Sequence, residues 1–316
     1  MLDLQRERIV VTGGAGFLGR IVCQQLRERG LLPEQIFVPR SKDYDLTVRT
    51  DVDRLYQDVR PTVVIHLAAR VGGIGANREH PGAYFYANMA MGLNLIEAAR
   101  VTGLKKFVQV GTVCAYPKYA TAPFKEEALW DGYPEETNAP YGVAKKALFV
   151  MLDGYRREYG LNSAVVVPVN LYGPGDNFDP ISSHVIPALI RKCEEARLAN
   201  APHIEAWGTG TASREFLYVD DCARGIVAAA ERMEEPIPIN LGTGQEITIK
   251  ALIELIAKLC NYRGNIVWDP TKPDGQPRRQ LDVSRARKLL DWSAQMPFEE
   301  GLRRTIASWR SQQGGS

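Results

Sequence analysis

The stretch RIVVT (residues 8–12) runs directly into GGAGFLG (residues 13–19) and then into IVCQQLRER (residues 21–29). The first segment has the β-branched character of a strand, and the third has the composition of a helix. Glycines between them allow a tight turn and a close approach of backbone to a pyrophosphate, which the helix N-terminus would meet with N–H donors and a positive dipole. The order strand, glycine loop, helix predicts a dinucleotide-binding loop made by Gly13, Gly14, Ala15, Gly16, Phe17, Leu18 and Gly19.

The first half of the chain alternates short β-branched runs with longer helical patterns. Strands are predicted at residues 8–12, 35–38, 62–68, 106–111 and 163–168. One of the helices between them is opened by Pro81, a residue that suits a first helical turn. This alternation predicts an α/β fold, a doubly wound parallel sheet of the Rossmann type.

After Pro168 the pattern becomes irregular. The loops YGPGDNFDP (residues 172–180) and WGTGTASRE (residues 207–215) flank a helix predicted near residues 184–200. Later segments resume a strand, helix, strand order that suits a return to the main sheet. We therefore expect a dinucleotide-binding domain of residues 1–171 plus 215–241, and a smaller C-terminal α/β substrate-binding lobe of residues 172–214 plus 242–316.

Composition narrows the classes of function. The 316 residues are 45% hydrophobic and 24% charged, which is typical of a globular protein and not of a disordered one. A net charge of +2 does not provide the excess of positive charge that is typical of proteins that bind nucleic acid or an anionic membrane. The five cysteines are scattered and lack metal-ligand spacing. We expect a cytoplasmic protein with reduced thiols, no metal site, and neither nucleic acid nor membrane as a partner.

The end of the second predicted strand indicates which dinucleotide is bound. It reads Arg40-Ser41-Lys42, without the immediate carboxylate that would accept from a ribose 2′-hydroxyl. Two cations and a hydroxyl suit a 2′-phosphate, so NADP(H) is the predicted cofactor. Asp43 follows closely, and the two cations are also compatible with solvated loop charges.

A second chemical motif is Tyr141 and Lys145, at the start of a helix predicted to run to about residue 159. Four-residue spacing places both side chains on one helical face. A lysine ammonium near the phenol is expected to lower the pKa of Tyr141, so that it exchanges a proton with a sugar hydroxyl or carbonyl. Thr112, just after the fourth predicted strand, adds a hydroxyl.

With these residues the chain resembles the extended short-chain dehydrogenase/reductases, whose Ser or Thr, Tyr and Lys triad matches Thr112, Tyr141 and Lys145. Longer runs resemble one branch, the GDP-L-fucose synthase family: AARVGGIGANREHP (68–81), GTVCAYPK (111–118), ETNAPYGVAKK (136–146), VNLYGPGDNFDPISSHVIPALIRK (169–192), WGTGTASREFLYVDD (207–221) and TKPDGQPRRQLDVSR (271–285). The resemblance implies 3,5-epimerisation of GDP-4-keto-6-deoxy-D-mannose and NADPH-dependent reduction at C4, by a homodimer.

The same resemblance implies that Cys114, in TVCAYP, and His184, in SSHVIP, are the acid and base of epimerisation. The chemistry is consistent, because a 4-keto group acidifies the hydrogens on C3 and C5, and cysteine and histidine exchange protons near neutrality. Related dehydratases carry an Asp-Glu pair beside the triad hydroxyl, where this chain has Val113-Cys114. Water elimination is therefore disfavoured.

Further site residues are implied by the resemblance. Substrate contacts are expected from Lys192, Trp207, Arg214 and Asp274; cofactor contacts are expected from Tyr141, Lys145, Pro168, Asn170, Leu171 and His184. A cationic pair and an aromatic ring suit a pyrophosphate and a planar base, although Trp207 is also compatible with packing and Lys192 with a helix-surface charge.

Two positions depart from the family pattern. Thr112 stands where serine is more frequent, and Asp179 stands where a histidine is often found. These departures leave open an epimerase/reductase acting on a related GDP-sugar, such as a GDP-heptose or a dideoxyhexose. A second alternative is a non-catalytic NADP-binding sensor or scaffold, because the superfamily that the chain resembles also includes such binding modules. The sensor is disfavoured because it needs none of the reactive side chains.

Overall fold

The computed structural model describes residues 1–72, 79–180, 182–272 and 275–313. Helices in these ranges are α1 Phe17–Glu28, α2 Arg49–Val59, α3 Pro81–Thr102, α4 Ala139–Tyr159, α5 Val185–Leu198, α6 Val219–Arg232, α7 Ile249–Cys260, α8 Ser284–Leu290 and α9 Phe298–Gln313. Strands are β1 Ile9–Thr12, β2 Ile36–Phe37, β3 Val63–His66, β4 Lys106–Val110, β5 Ser163–Pro168, β6 Asn170–Tyr172, β7 His203–Trp207, β8 Ser213–Tyr218, β9 Pro238–Leu241, β10 Glu246–Thr248 and β11 Asn265–Asp269.

A six-stranded parallel sheet in the order β2-β1-β3-β4-β5-β9 forms the first lobe. All residues of β1, β3, β4 and β5 are buried, as expected for a parallel sheet covered on both faces. Helix α1 packs against α6, whereas α3 packs against α2 and α4. Right-handed crossovers put these two groups of helices on opposite faces. The predicted doubly wound α/β fold is confirmed, and the five predicted strands match to within two residues.

The second lobe has its own small sheets and core. Strands β10, β8 and β6 form one sheet, β11 pairs with β7, and helices α5, α7 and α9 contribute to a separate apolar cluster. The side chains of Leu281, Val283, Ala286, Leu290 and Trp292 instead pack in the core of the first lobe. This part of the C-terminal segment therefore joins the two lobes. No helix within the described ranges combines the length and the apolar character that a membrane crossing requires.

The strand order reverses between β1 and β3, and this reversal opens a crevice at the carboxyl ends of both strands. The glycine loop follows β1, and Leu67 and Ala68 follow β3. Gly13 has a φ of 69°, and a Cβ there would lie 2.9 Å from the Ala68 backbone nitrogen. Only glycine lets the two loops approach this closely while leaving the crevice open.

Candidate active site

One continuous cavity of about 1690 Å³ runs from this crevice into the second lobe. A pocket for one drug-sized ligand usually measures about 300–1,000 Å³, so this cavity has room for a dinucleotide and a second nucleotide. Most of the predicted site residues line it: Gly13, Ala15, Gly16, Phe17, Leu18, Gly19, Arg40, Ser41, Thr112, Cys114, Tyr141, Pro168, Asn170, Leu171, His184, Lys192, Trp207 and Arg214.

The glycine loop has the form that a pyrophosphate requires. Gly16 is the N-cap of α1 and provides no side-chain cap, so the first N–H groups of the helix stay available to a ligand. A Cβ at Gly19 would lie 2.5 Å from the Gly14 Cα, so glycine is needed for the helix to pack against the loop. Gly14 faces Val38 rather than the cavity. These residues fit a dinucleotide.

The region of the predicted 2′-phosphate contacts is partly assembled. Arg40 and Ser41 line the cavity, whereas Lys42 is exposed and lies outside its lining. Tyr44 was not predicted, yet it also lines this end, with the Arg54 guanidinium 4.5 Å from the centre of its ring. No motif indicates Tyr44, because its position depends on tertiary contacts such as that with Arg54 of α2.

Helix α4 brings Tyr141 to the cavity and Lys145 behind it. Only 1% of Lys145 is exposed, and burial lowers its pKa to about 8. Burial also raises the pKa of Tyr141, with a further contribution from Cys114, while a hydrogen bond with Thr112 opposes the rise. The expectation that Lys145 lowers the pKa of Tyr141 is wrong for the protein alone, because burial raises this pKa and Lys145 is not among the groups that shift it.

Thr112 and Cys114 are fixed by a 3-10 turn, Val113–Ala115, after β4. The Thr112 hydroxyl oxygen accepts from the Cys114 backbone N–H at 3.1 Å, which leaves its O–H free to donate towards Tyr141. Gly142 packs against the Cys114 carbonyl, so α4 and the turn hold Tyr141 and Cys114 in one fixed arrangement. Cys114 is half-buried, whereas the other four cysteines are buried.

His184 is the N-cap residue of α5, and its side chain makes no capping hydrogen bond. The imidazole is therefore not engaged by the helix that positions it. The ring is exposed within the open cavity, yet the protein around it lowers its pKa from 6.5 by burial. A neutral imidazole at neutral pH is able to accept a proton.

The far end of the cavity carries the predicted nucleotide contacts. Lys192 donates to the Glu205 carbonyl at 2.7 Å, and Arg214 donates to the Ser213 carbonyl at 2.7 Å. Trp207 is 62% exposed, which excludes a role in core packing. Asp274 lies outside the described residues. Asp179 accepts from the Ser182 hydroxyl at 2.9 Å and is not part of the cavity lining.

Several charged residues of the cavity wall were not predicted from the sequence, among them Asp176 and Arg279. Burial raises the pKa of Asp176 to about 7. Arg279 places its Nη1 3.8 Å from the Cys114 Sγ. Arg279 stands in the quoted run PRRQLD beside Arg278, and the pattern alone does not tell which arginine turns inward.

The family model described as "NAD dependent epimerase/dehydratase family" matches residues 9–242. The GDP-L-fucose synthase of Escherichia coli (strain K12) is 40% identical, with 96% of each chain covered. The GDP-L-colitose synthase of Yersinia pseudotuberculosis is 33% identical over 94% of this chain and 96% of its own. The crystal structure of a GDP-L-fucose synthetase from Naegleria fowleri bound to NADP has a TM-score of 0.89 at 28% identity, covering 100% of this chain and 97% of its own. The architecture, the cavity and these similarities lead to one conclusion: the chain belongs to the GDP-L-fucose synthase family of epimerase/reductases.

Proposed function

We propose that this protein converts GDP-4-keto-6-deoxy-D-mannose to GDP-L-fucose, by epimerisation at C3 and C5 followed by reduction at C4. It is an NADP-dependent oxidoreductase/epimerase, and its cofactor is NADP(H). The observation that carries the proposal is that Cys114 and His184 face the same cavity as Thr112 and Tyr141. Groups for proton transfer at carbon and groups for carbonyl reduction therefore line one cavity.

In the proposed epimerisation, one of Cys114 and His184 removes a proton from the carbon beside the ketone. The other returns a proton to the opposite face of the resulting enolate. Negative charge develops on the C4 oxygen in this step, and the hydroxyls of Thr112 and Tyr141 are placed to donate to it. No net proton is gained or lost.

Bound NADPH supplies the hydride for C4. Tyr141 gives its proton to the C4 oxygen, and because burial raises its pKa, the phenol holds this proton at neutral pH until it is needed. Lys145 is buried behind Tyr141 and would hold the nicotinamide ribose with it. Pro168, Asn170 and Leu171 would line the nicotinamide, while Arg40, Ser41 and Lys42 would hold the 2′-phosphate.

The second lobe would hold the GDP moiety. Lys192 and Arg214 provide two cations for the diphosphate, and the exposed ring of Trp207 provides a face for the guanine. Asp274 is proposed as a further substrate contact. In this proposal residues 1–171 plus 215–241 bind the dinucleotide, and residues 172–214 plus 242–316 bind the GDP-sugar.

The test combines NADPH oxidation with deuterium uptake. Enzyme, NADPH and GDP-4-keto-6-deoxymannose in D₂O should consume NADPH and give a product labelled at C3 and C5. Cys114→Ser and His184→Gln should lose label while hydride transfer is comparatively retained; His203→Gln, an exposed histidine outside the cavity lining, is the matched control. Absence of NADPH oxidation by the wild type refutes the proposed activity.

A second candidate is the same chemistry on a related GDP-4-keto sugar. Thr112 favours it, because the threonine methyl adds volume beside the reacting centre, where serine has none. The similarity to a GDP-L-colitose synthase points the same way. Comparing kcat/KM across 6-deoxy, dideoxy and heptose forms of GDP-4-keto sugars decides between them, and a dideoxy or heptose form turned over fastest establishes the alternative.

We further propose a cytoplasmic homodimer. All five cysteines are free thiols, which suits a reducing compartment. Helices α3 and α4 pack together and leave large apolar side chains exposed, among them Tyr86, Val101 and Val150. Light scattering should give twice the chain mass, and Val150→Glu should reduce it to one chain, whereas Lys250→Glu on α7 should not. A monomeric wild type refutes the dimer.

A further inference from the structure

We infer that Arg279 stabilises the negative charge that Cys114 carries during proton transfer, and so serves epimerisation and not hydride transfer. This inference rests on the proposed function. Its starting point is a contact between two polar groups in the cavity wall, the Arg279 Nη1 and the Cys114 Sγ, 3.8 Å apart. At that distance the guanidinium donates a hydrogen bond to sulfur.

The guanidinium is held in place by a neighbouring amide. Its Nε and Nη2 both donate to the Gln276 Oε1, each at 3.2 Å. The Gln276 Nε2 donates in turn to the carbonyls of Lys118 at 2.8 Å and Pro117 at 3.4 Å. Those two carbonyls belong to the segment that continues from Cys114. Gln276 therefore fixes the cation relative to the sulfur.

The backbone on either side of Arg279 is anchored as well. The Pro277 carbonyl accepts from the Ser213 N–H at 2.9 Å, and the Gln280 carbonyl accepts from the Phe124 N–H at 2.7 Å. Only 8% of Arg279 is exposed. Hydrogen bonds of the side chain with Gln276 and of the flanking backbone with Ser213 and Phe124 therefore hold Arg279 in place. It adds a permanent cation to the cavity wall.

This charge is not neutralised by a carboxylate in the described part of the chain. Its neighbour Arg278 is different: Arg278 forms an ion pair with Glu246 and lies outside the cavity lining. Leaving a guanidinium buried without an opposite charge is costly, so a charge that appears opposite it during the reaction is strongly favoured. The nearest reacting atom is the Cys114 Sγ.

The chemistry of epimerisation supplies that charge. When the substrate C–H bond breaks, its proton passes to a base and the electron pair enters the enolate; a proton from the acid then forms the new C–H bond. Whether Cys114 gives or takes the proton, its sulfur is a thiolate on one side of the step. A guanidinium does not lose its own proton near neutrality, so Arg279 stabilises the thiolate and does not compete as an acid.

The test separates the two half-reactions. Arg279→Met should lower deuterium uptake from D₂O into GDP-4-keto-6-deoxymannose, measured without NADPH, by roughly 10- to 100-fold, chiefly in kcat. Oxidation of GDP-L-fucose by NADP⁺, which needs no epimerisation, should change less than about threefold. Arg278→Met is the matched control and should leave both rates unchanged. Arg279→Lys, which keeps the charge but loses the planar fork, should recover part of the uptake.

A measurement without substrate keeps the inference separate from the proposed activity. Alkylation of Cys114 by iodoacetamide at neutral pH, followed by mass spectrometry, should slow in Arg279→Met and not in Arg278→Met, because the thiolate is the reacting species. If the wild type turns over no substrate, the proposed activity has failed, while this alkylation still tests the contact. Equal losses in both half-reactions, unchanged deuterium uptake, or unchanged alkylation would overturn the inference.

Discussion

At the scale of one residue, the charge that the proposed mechanism needs on Lys145 lowers the stability of the fold. In the proposed mechanism its ammonium group acts beside Tyr141, yet the side chain is almost fully enclosed by protein. Burial of a charge in an interior is unfavourable, and this is the cause of the lowered pKa of Lys145. A side chain of similar length without charge would fit the same space at lower cost.

We therefore expect Lys145→Met to stabilise the fold and to abolish reduction. The pKa falls from 10.5 to about 8, which corresponds to a stabilisation of up to roughly 3 kcal/mol, since one pKa unit is worth about 1.4 kcal/mol. The folded-state pKa lies below the unfolded value, so the gain is full below about pH 8 and disappears as the pH rises towards 10.5.

Urea unfolding of both proteins at pH 7 and at pH 10 measures this difference. Lys250→Met, at an exposed position on α7, is the control and should change the free energy of unfolding by less than about 0.5 kcal/mol. A Lys145→Met protein that is less stable than the wild type at pH 7 would contradict the expectation.

At the scale of one element, α4 performs two tasks. Its first turn presents Tyr141, and its Gly142 packs against the turn that holds Cys114. A Cβ at Gly142 would lie 3.0 Å from the Cys114 carbonyl carbon and closer still to the carbonyl oxygen. The helix and the turn would have to separate, and with them the phenol and the thiol.

Gly142→Ala should accordingly destabilise the protein by about 1–3 kcal/mol, although alanine is the better helix former. Deuterium uptake and NADPH oxidation should both fall, because both depend on this arrangement. Gly154→Ala in the same helix, where a Cβ meets nothing within 4 Å, should instead stabilise by up to about 1 kcal/mol. Thermal unfolding of the pair tests this; similar shifts for both variants would show that the contact with Cys114 is unimportant.

At the scale of the whole molecule, the cavity depends on how the two lobes are joined. Glu215 of β8 is fully buried and accepts from three backbone N–H groups. Its Oε1 accepts from Thr243 and from Gly244, the latter at 2.7 Å, and its Oε2 accepts from Leu281 at 2.6 Å. Thr243 and Gly244 follow the last strand of the large sheet, so one carboxylate connects the second lobe to the first.

Glu215→Gln should lower the free energy of unfolding by about 1–3 kcal/mol, because an amide presents only one acceptor oxygen and turns its NH₂ group towards a backbone donor. KM should rise for both NADPH and the GDP-sugar, since both are proposed to bind in the shared cavity. Glu254→Gln on the surface of α7 is the control. An unchanged unfolding midpoint in Glu215→Gln would mean that the carboxylate does not join the lobes.

The local features of this protein follow from its sequence alone. The glycine loop, the parallel strands, the Tyr141 and Lys145 pair and the motifs around Cys114 and His184 are readable because each depends on neighbouring residues and on periodic patterns. Arg279 has no such local signal, since its approach to Cys114 links positions 165 residues apart. The direction of the Tyr141 pKa shift was decided by burial, which is a property of packing. Tertiary structure alone fixed both, because distance and exclusion of water arise only when remote segments pack together.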